Sequence, residues 1–245
     1  MRGKTHCTIG ILASIQASII FKVPISLFSL MISAIFSLLP DLDEPNSIVS
    51  DFFFKKNISK FIYKIIIYTT NIAIFFISIK INNNFYFSSI ITFIAIFVIE
   101  SKLTHNLLRK VFLSLIFILL ATCLYFVKIP IYFIIFCLML ATFPWMKHRS
   151  FSHSMFSIII IYFLLKQIEL LTNISNLSFF GTISYASHMF LGDIFTKQGV
   201  PLFYPISDKK ISLGFLRVGS FFSNLLEIVF VIVLVICIIY SIIKI

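Results

Sequence analysis

Four of the chain's five histidines fall in short polar islands within otherwise apolar sequence. His6 follows Thr5, with Gly10 one turn later. His148 and His153 bracket Arg149-Ser150-Phe151-Ser152, with Ser154 next, and His188 follows Ser187, with Asp193 five residues on. A further island, Leu39-Pro40-Asp41-Leu42-Asp43-Glu44-Pro45-Asn46-Ser47, holds two acids in Asp-x-Asp spacing, and a last one reads Thr196-Lys197-Gln198-Gly199-Val200-Pro201. Imidazole and carboxylate together suit zinc, manganese or iron, as a single or two-metal centre. Such a centre activates water and neutralises charge on a phosphoryl or acyl oxygen. Ionisable groups cost about 2.5–3.5 kcal/mol at the centre of a bilayer span, so their presence in apolar sequence points to function.

Each island also admits a plainer account. Asp41 and Asp43, bracketed by prolines, belong to an extended or turn segment after a helix. They can offer oxygens to one cation or bridge two, or form a solvated acidic loop that caps the next helix. His148 and His153, five apart, would sit about 140° from one another on an ideal helix. The reading therefore puts His148 in a loop and His153 on the first turn of the next helix, capped by Ser150 or Ser152. Arg149 can hold an anionic oxygen by bidentate hydrogen bonds; interfacial His and Arg at a membrane boundary would look the same. His188 and Asp193 share that awkward spacing, which a local distortion at Gly192 would relieve. Thr5 is the expected cap of the first helix, and Gly10 would let another helix approach closely. His105 reads as a solvated residue of a basic loop. Glu227, the one acid of the last apolar run, pairs with another helix or supports a ligand.

The elements that position these islands must be membrane helices. Of 245 residues, 60% are hydrophobic and only 12% charged, about half the charge of an ordinary soluble domain. The net charge of +11 then marks loops facing anionic lipid, and nucleic acid is excluded as a partner. Apolar runs cover roughly 7–21, 25–39, 62–80, 85–99, 111–127, 130–143, 154–171, 178–195 and 220–243. They do not alternate polar with apolar residues, which excludes a transmembrane barrel. The expected fold is all-α: one polytopic transmembrane bundle over residues 1–245, with six to nine segments, some short or re-entrant. No small-x-small cleavage site follows 7–21, so this run reads as a retained helix. If every run crosses, fifteen Lys and Arg residues lie on one side and five on the other. The positive-inside rule makes the richer side cytoplasmic, and all the islands fall near it. The four cysteines are far apart, with no C-x-x-C pair, and read as small hydrophobes; Cys7 alone adjoins a candidate ligand, His6.

The order of islands resembles the YdjM family of bacterial inner-membrane proteins, whose suggested activity is metal-dependent hydrolysis. The resemblance rests on Thr5-His6 with Gly10, Pro40-Asp41-Leu42-Asp43 with Pro45 and Ser47, and His148-Arg149 with Ser152-His153-Ser154. It continues through Ser187-His188 with Gly192-Asp193, then Thr196, Gly199-Val200-Pro201 and Tyr204-Pro205. It implies a hydrolase with metal ligands among His6, Asp41, Asp43, His148, His153, His188 and Asp193. Asp43 is alternatively the general base, and Arg149 stabilises an anionic substrate. The implied cofactor is a divalent ion, zinc first; the implied partners are membrane lipid and a phosphate-containing or lipid-like substrate. A more distant similarity to zinc-dependent phospholipases C points the same way. Two departures stand out: Glu44 occupies a position where the family often has His, and Asp193 lies five rather than four residues after His188. No G-x-S-x-G, Walker A or G-x-G-x-x-G motif competes. The same ligands would serve a divalent-metal transporter, whose site should lie near the bilayer midplane, or a membrane protein that uses metal only to hold its helices.

Overall fold

The computed structural model describes residues 3–214, 217 and 219–244. Among them are ten α-helices: α1 (Gly3–Phe21), α2 (Leu27–Phe36), α3 (Ile48–Phe53), α4 (Lys56–Asn82), α5 (Phe85–Lys102), α6 (His105–Phe126), α7 (Ile131–Thr142), α8 (Met155–Thr172), α9 (Leu177–Ser187) and α10 (Phe221–Ile243). The expected all-α bundle is therefore present. No strand occurs among the described residues beyond an isolated bridge between Val200 and Ile211. Five helices, α4, α5, α6, α8 and α10, are long and apolar enough to cross a membrane. Their outer faces are studded with exposed Phe, Ile, Leu and Val, such as Phe76, Phe97 and Ile236, which suits hydrocarbon rather than water.

The shorter runs form the interior. α1 packs against α2, α9 and α10, and α9 also packs against α2 and α8. Small residues allow this approach: Ser14, Ser18, Ser29, Ser33 and Ser184 are all buried, and the Ser184 hydroxyl donates to the Ser33 carbonyl at 2.7 Å. A Cβ at Gly10 would collide with Ser37 and crowd the Ser184 hydroxyl, so Gly10 does permit close helix approach. A core of Phe36, Leu39, Leu42, Leu113, Phe143 and Tyr185 sits beneath the polar islands.

Several boundaries depart from the sequence reading. Thr5 is not a cap, because α1 already begins at Gly3; its hydroxyl instead donates to Glu227 Oε2 of α10 at 2.5 Å. That bond is the partner expected for Glu227. His105 does not belong to a loop but opens α6, where the Thr104 side chain accepts from Leu107 N–H. The last interior run stops being α-helical at Ser187. Arg109 lies inside α6 with its side chain fully buried, 2.6 Å from the half-exposed Asp51 of α3. This pair pins the short α3 against α6.

Removing one partner of a buried ion pair leaves the other charge uncompensated. Asp51→Ala should lower stability by about 2 kcal/mol, less than for a fully buried pair because water reaches Asp51. Asp51→Ala combined with Arg109→Met should recover most of the loss. Thermal unfolding of the detergent-purified variants checks both.

Candidate metal centre

Three irregular turns place the polar side chains. The first is the 3₁₀ turn Leu39–Asp43, with Pro40 near its start. In a three-residue repeat, positions three apart eclipse one another, so Leu39 and Leu42 both anchor in the core, and both are buried. Residues two apart then point to different sides. Asp41 faces His188, with Oδ1 3.5 Å from Nε2, whereas Asp43 faces the segment 148–153.

Asp43 is held by several donors from that second turn. His148 Nδ1 lies 2.7 Å from Oδ1. The Arg149 N–H donates to Oδ2 at 3.1 Å, and the Ser152 hydroxyl donates to the same oxygen at 2.5 Å. His153 Nδ1 is 3.3 Å from it. The chain reverses here through Arg149, which takes the left-handed backbone conformation (φ 58°), a strained choice for a residue with a Cβ. His153 does not lie on the first turn of α8. It ends a 3₁₀ turn, Phe151–His153, and the helix cap is Ser154, whose hydroxyl accepts from Ser157 N–H, rather than Ser150 or Ser152. Ser152 is free to bind Asp43 because Ser154 does the capping.

The third turn is a single π turn, His188–Gly192. Its i→i+5 bonding stacks residues five apart, and Asp193 N–H donates to the His188 carbonyl. This accounts for the spacing that an α-helix would separate: His188 Nε2 comes within 3.6 Å of Asp193 Oδ2. Gly192 has a further role. A Cβ there would run into the His6 ring, which stacks on His188 with centroids 3.8 Å apart. His6 Nε2 in turn lies 3.7 Å from Asp193 Oδ1.

All seven ligand candidates thus converge. They form three overlapping groups able to hold a metal ion: His6–His188–Asp193, Asp41–His153–His188 and Asp43–His148–His153. All but two of the seven are buried; Asp41 and His148 are half-buried. His188 Nδ1 lies 2.7 Å from the Ser37 carbonyl. That contact makes Nδ1 a donor, so Nε2, facing Asp41 and Asp193, is the nitrogen left to exchange its proton for a metal. His153 is arranged alike, with Nδ1 on Ser152 Oγ at 2.9 Å and Nε2 3.1 Å from Asp193 Oδ2. Yet neither Nε2 atom makes a hydrogen bond. Two ligands about 2.1 Å from a tetrahedral zinc ion would be about 3.4 Å apart, and the gaps between these donors are of that size. The donor set fits a divalent ion.

The cluster's charges are strongly coupled. Burial alone would raise the Asp41 pKa, but His188 and His6 outweigh it and bring it down to about 2. Asp43 is depressed by His153 and His148 against its own burial, and Asp193 by His153, His188 and His6. Burial works to lower the His188 pKa, but Asp41 and Asp193 push it up to about 10. His153 is raised by Asp43 and Asp193 in the same way.

Arg149 is buried, and its guanidinium binds Asp193 Oδ1 at 2.7 Å and Thr196 Oγ1 at 2.5 Å. Its Nε has no protein partner, and the residue lines a polar cavity of about 720 Å³ together with Lys4, His6, Asp41, His148 and Asp193. Glu44 lines this cavity too but lies outside the three groups, accepting from Asn46 N–H at 3.2 Å. Cys7 points away, with Sγ 3.9 Å from the Ala34 carbonyl. Tyr185 was invisible within its apolar run, yet its hydroxyl donates to the Ser152 carbonyl at 2.5 Å and braces the Asp43–Ser152–His153 arrangement from below.

Gly192→Ala should displace His6 from the cluster, because the added Cβ would take the space of its ring at a residue whose backbone (φ −117°, ψ −85°) lies outside the α region. We expect about 10–100-fold lower metal affinity, measured by competition with a chelator, together with a lower unfolding temperature of the metal-free protein, since the buried His6 ring must move.

The fold and the site together define a multi-helix membrane protein with a buried His/Asp cluster able to hold a metal ion. A family model described as YdjM inner membrane protein matches residues 1–245. The chain belongs to that family. Neither the curated proteins nor the solved structures contain a match.

Proposed function

We propose that this protein is a membrane-embedded, metal-dependent hydrolase acting on a phosphoester. The observation that carries this reading is the pair of buried Nε2 atoms of His153 and His188, which make no hydrogen bond but face carboxylate oxygens at 3.1–3.6 Å. The ion would be held around His188, with His6 and Asp193 on one side and Asp41 and His153 on the other. Zinc suits this mixture of imidazole and carboxylate, with manganese or iron as alternatives. When bound, the ion supplies Lewis acidity and lowers the pKa of water.

The protein's own groups do the rest. Asp43 spends its lone pairs on His148, Arg149, Ser152 and His153, which makes it a positioning group for both imidazoles rather than an open ligand. His148 is one-third exposed and held by Asp43 through Nδ1. Its other nitrogen is placed to give or take a proton at the cavity mouth. Arg149 orients Asp193, and its free Nε adds positive charge where an anionic oxygen would sit. The positive-inside rule supports a cytoplasmic opening for this cavity.

The test is hydrolysis of soluble phosphodiesters and phosphomonoesters by zinc-loaded, detergent-purified protein. His148→Ala, with metal retained, should lower kcat by about 10²–10⁴-fold, as loss of a general acid or base does. Absence of turnover for every phosphoester by protein with its metal bound would overturn the hydrolase reading.

A further inference from the structure

A second cavity, of about 460 Å³, opens among α2, α3, α6 and α7, and every residue lining it is apolar, including Phe36, Leu39, Val49, Phe53, Phe117 and Leu140. It adjoins the polar cavity, since Ile48 lines both. Leu39 is two residues before Asp41 in one 3₁₀ turn, so the same turn walls the apolar cavity and presents a carboxylate to the cluster. The dividing element is α3. Its Asp51 is tied to Arg109, while Phe52 is 83% exposed and Ile48 42% exposed on its outer side. The polar half carries Lys4, His148 and Arg149 beside the carboxylates of Asp41, Glu44 and Asp193, and the buried Arg149 Nε lacks a partner.

We infer that the two cavities form one site for an amphiphile: the acyl chain of a membrane phospholipid lies in the apolar cavity, and its phosphate head reaches the cluster. This inference rests on the hydrolase reading for what happens to the head group, but chain binding can be measured without it. An apolar pocket adjoining a polar one that holds Lys4, Arg149 and the His/Asp cluster matches a molecule that joins the two chemistries. A small water-soluble phosphoester would leave the apolar half unused.

The experiment is equilibrium binding of alkyl phosphates of increasing chain length, below their micelle concentration, to the zinc-loaded full-length protein. Affinity should rise about fourfold per methylene until the cavity is filled, then level off. Val49→Trp, which fills the cavity, should bring the plateau to shorter chains with metal content unchanged. Phe136→Ala, which enlarges it, should extend the plateau to longer ones, and keeps the test decisive if the tryptophan variant fails to fold. Affinity independent of chain length, or a plateau unmoved in both variants, would overturn the inference and leave the hydrolase reading standing. Chain-dependent binding without turnover of any phosphoester would keep the inference and remove the hydrolase reading.

Discussion

Purified in the presence of zinc, the wild-type protein is expected to hold close to one metal ion per chain, and the double variant His153→Ala, His188→Ala none. Those two imidazoles are the centre of the arrangement. Each has its Nδ1 turned to a second-layer oxygen, Ser37 carbonyl or Ser152 hydroxyl, so that Nε2 is left to bind. Their loss removes a member from all three ligand groups. Elemental mass spectrometry reads the content directly. A ratio near two would mean that Asp43, His148 and His153 hold a second ion despite the hydrogen bonds on Asp43. A ligand that binds only the folded state stabilises by about 4 kcal/mol when present at a thousand times its dissociation constant. A chelator should therefore lower the unfolding temperature of the wild type and leave the double variant unmoved. Proton and metal also compete. The His188 pKa is raised to about 10, so in the metal-free protein this proton stabilises the fold fully below about pH 6.5, the ordinary histidine value, and is lost as pH rises through 10. At neutral pH the metal must displace it, so apparent affinity should climb about tenfold per pH unit. Metal retained by the double variant would sink the assignment.

What could be seen in the sequence was the inventory of polar side chains, while the joins between elements could not be seen. His6, Asp41, Asp43, His148, His153, His188 and Asp193 announced themselves because charge is rare in apolar sequence. Their convergence depends on turns that have no apolar periodicity. The π turn at His188–Gly192 gives no signal beyond the spacing of five and one glycine, and the glycine turned out to clear space for His6 as well. Thr5 looked like a cap because capping residues are recognised by local order. Its actual partner, Glu227, is 222 positions away, and no local pattern carries such a pairing. Arg109 stands beside Lys110 at the edge of an apolar run, with nothing local to mark it as buried. Its burial follows from where α6 starts, a boundary that Thr104 sets, and from Asp51 on a six-residue helix too short to show periodicity. Tyr185 is polar only at one atom, and its partner, the Ser152 carbonyl, is 33 positions away, so no local pattern carries that hydrogen bond.

Asp193→Ala should be the most damaging single substitution, because this carboxylate serves two structures at once. Toward the cluster it faces His6, His153 and His188 at 3.1–3.7 Å. On the other side it binds the Arg149 guanidinium at 2.7 Å, with both side chains almost wholly buried. The alanine variant loses a metal ligand and also leaves Arg149 with only Thr196 and the Gly199 carbonyl. Stranding a buried charge costs about 3–5 kcal/mol, which corresponds to a fall in unfolding temperature on the order of 10 °C for a chain of this size. The two effects separate in a double-mutant cycle. Arg149→Met in the Asp193→Ala background removes the stranded charge, so it should restore most of the metal-free stability while metal binding stays lost. Asp193→Asn keeps a hydrogen-bond acceptor for Arg149 but weakens both the charge and the metal ligand, and should fall between wild type and alanine on both scales. Restoration of metal binding together with stability in the double variant would show that Asp193 acts through the fold alone, and would move the ligand role to Asp41.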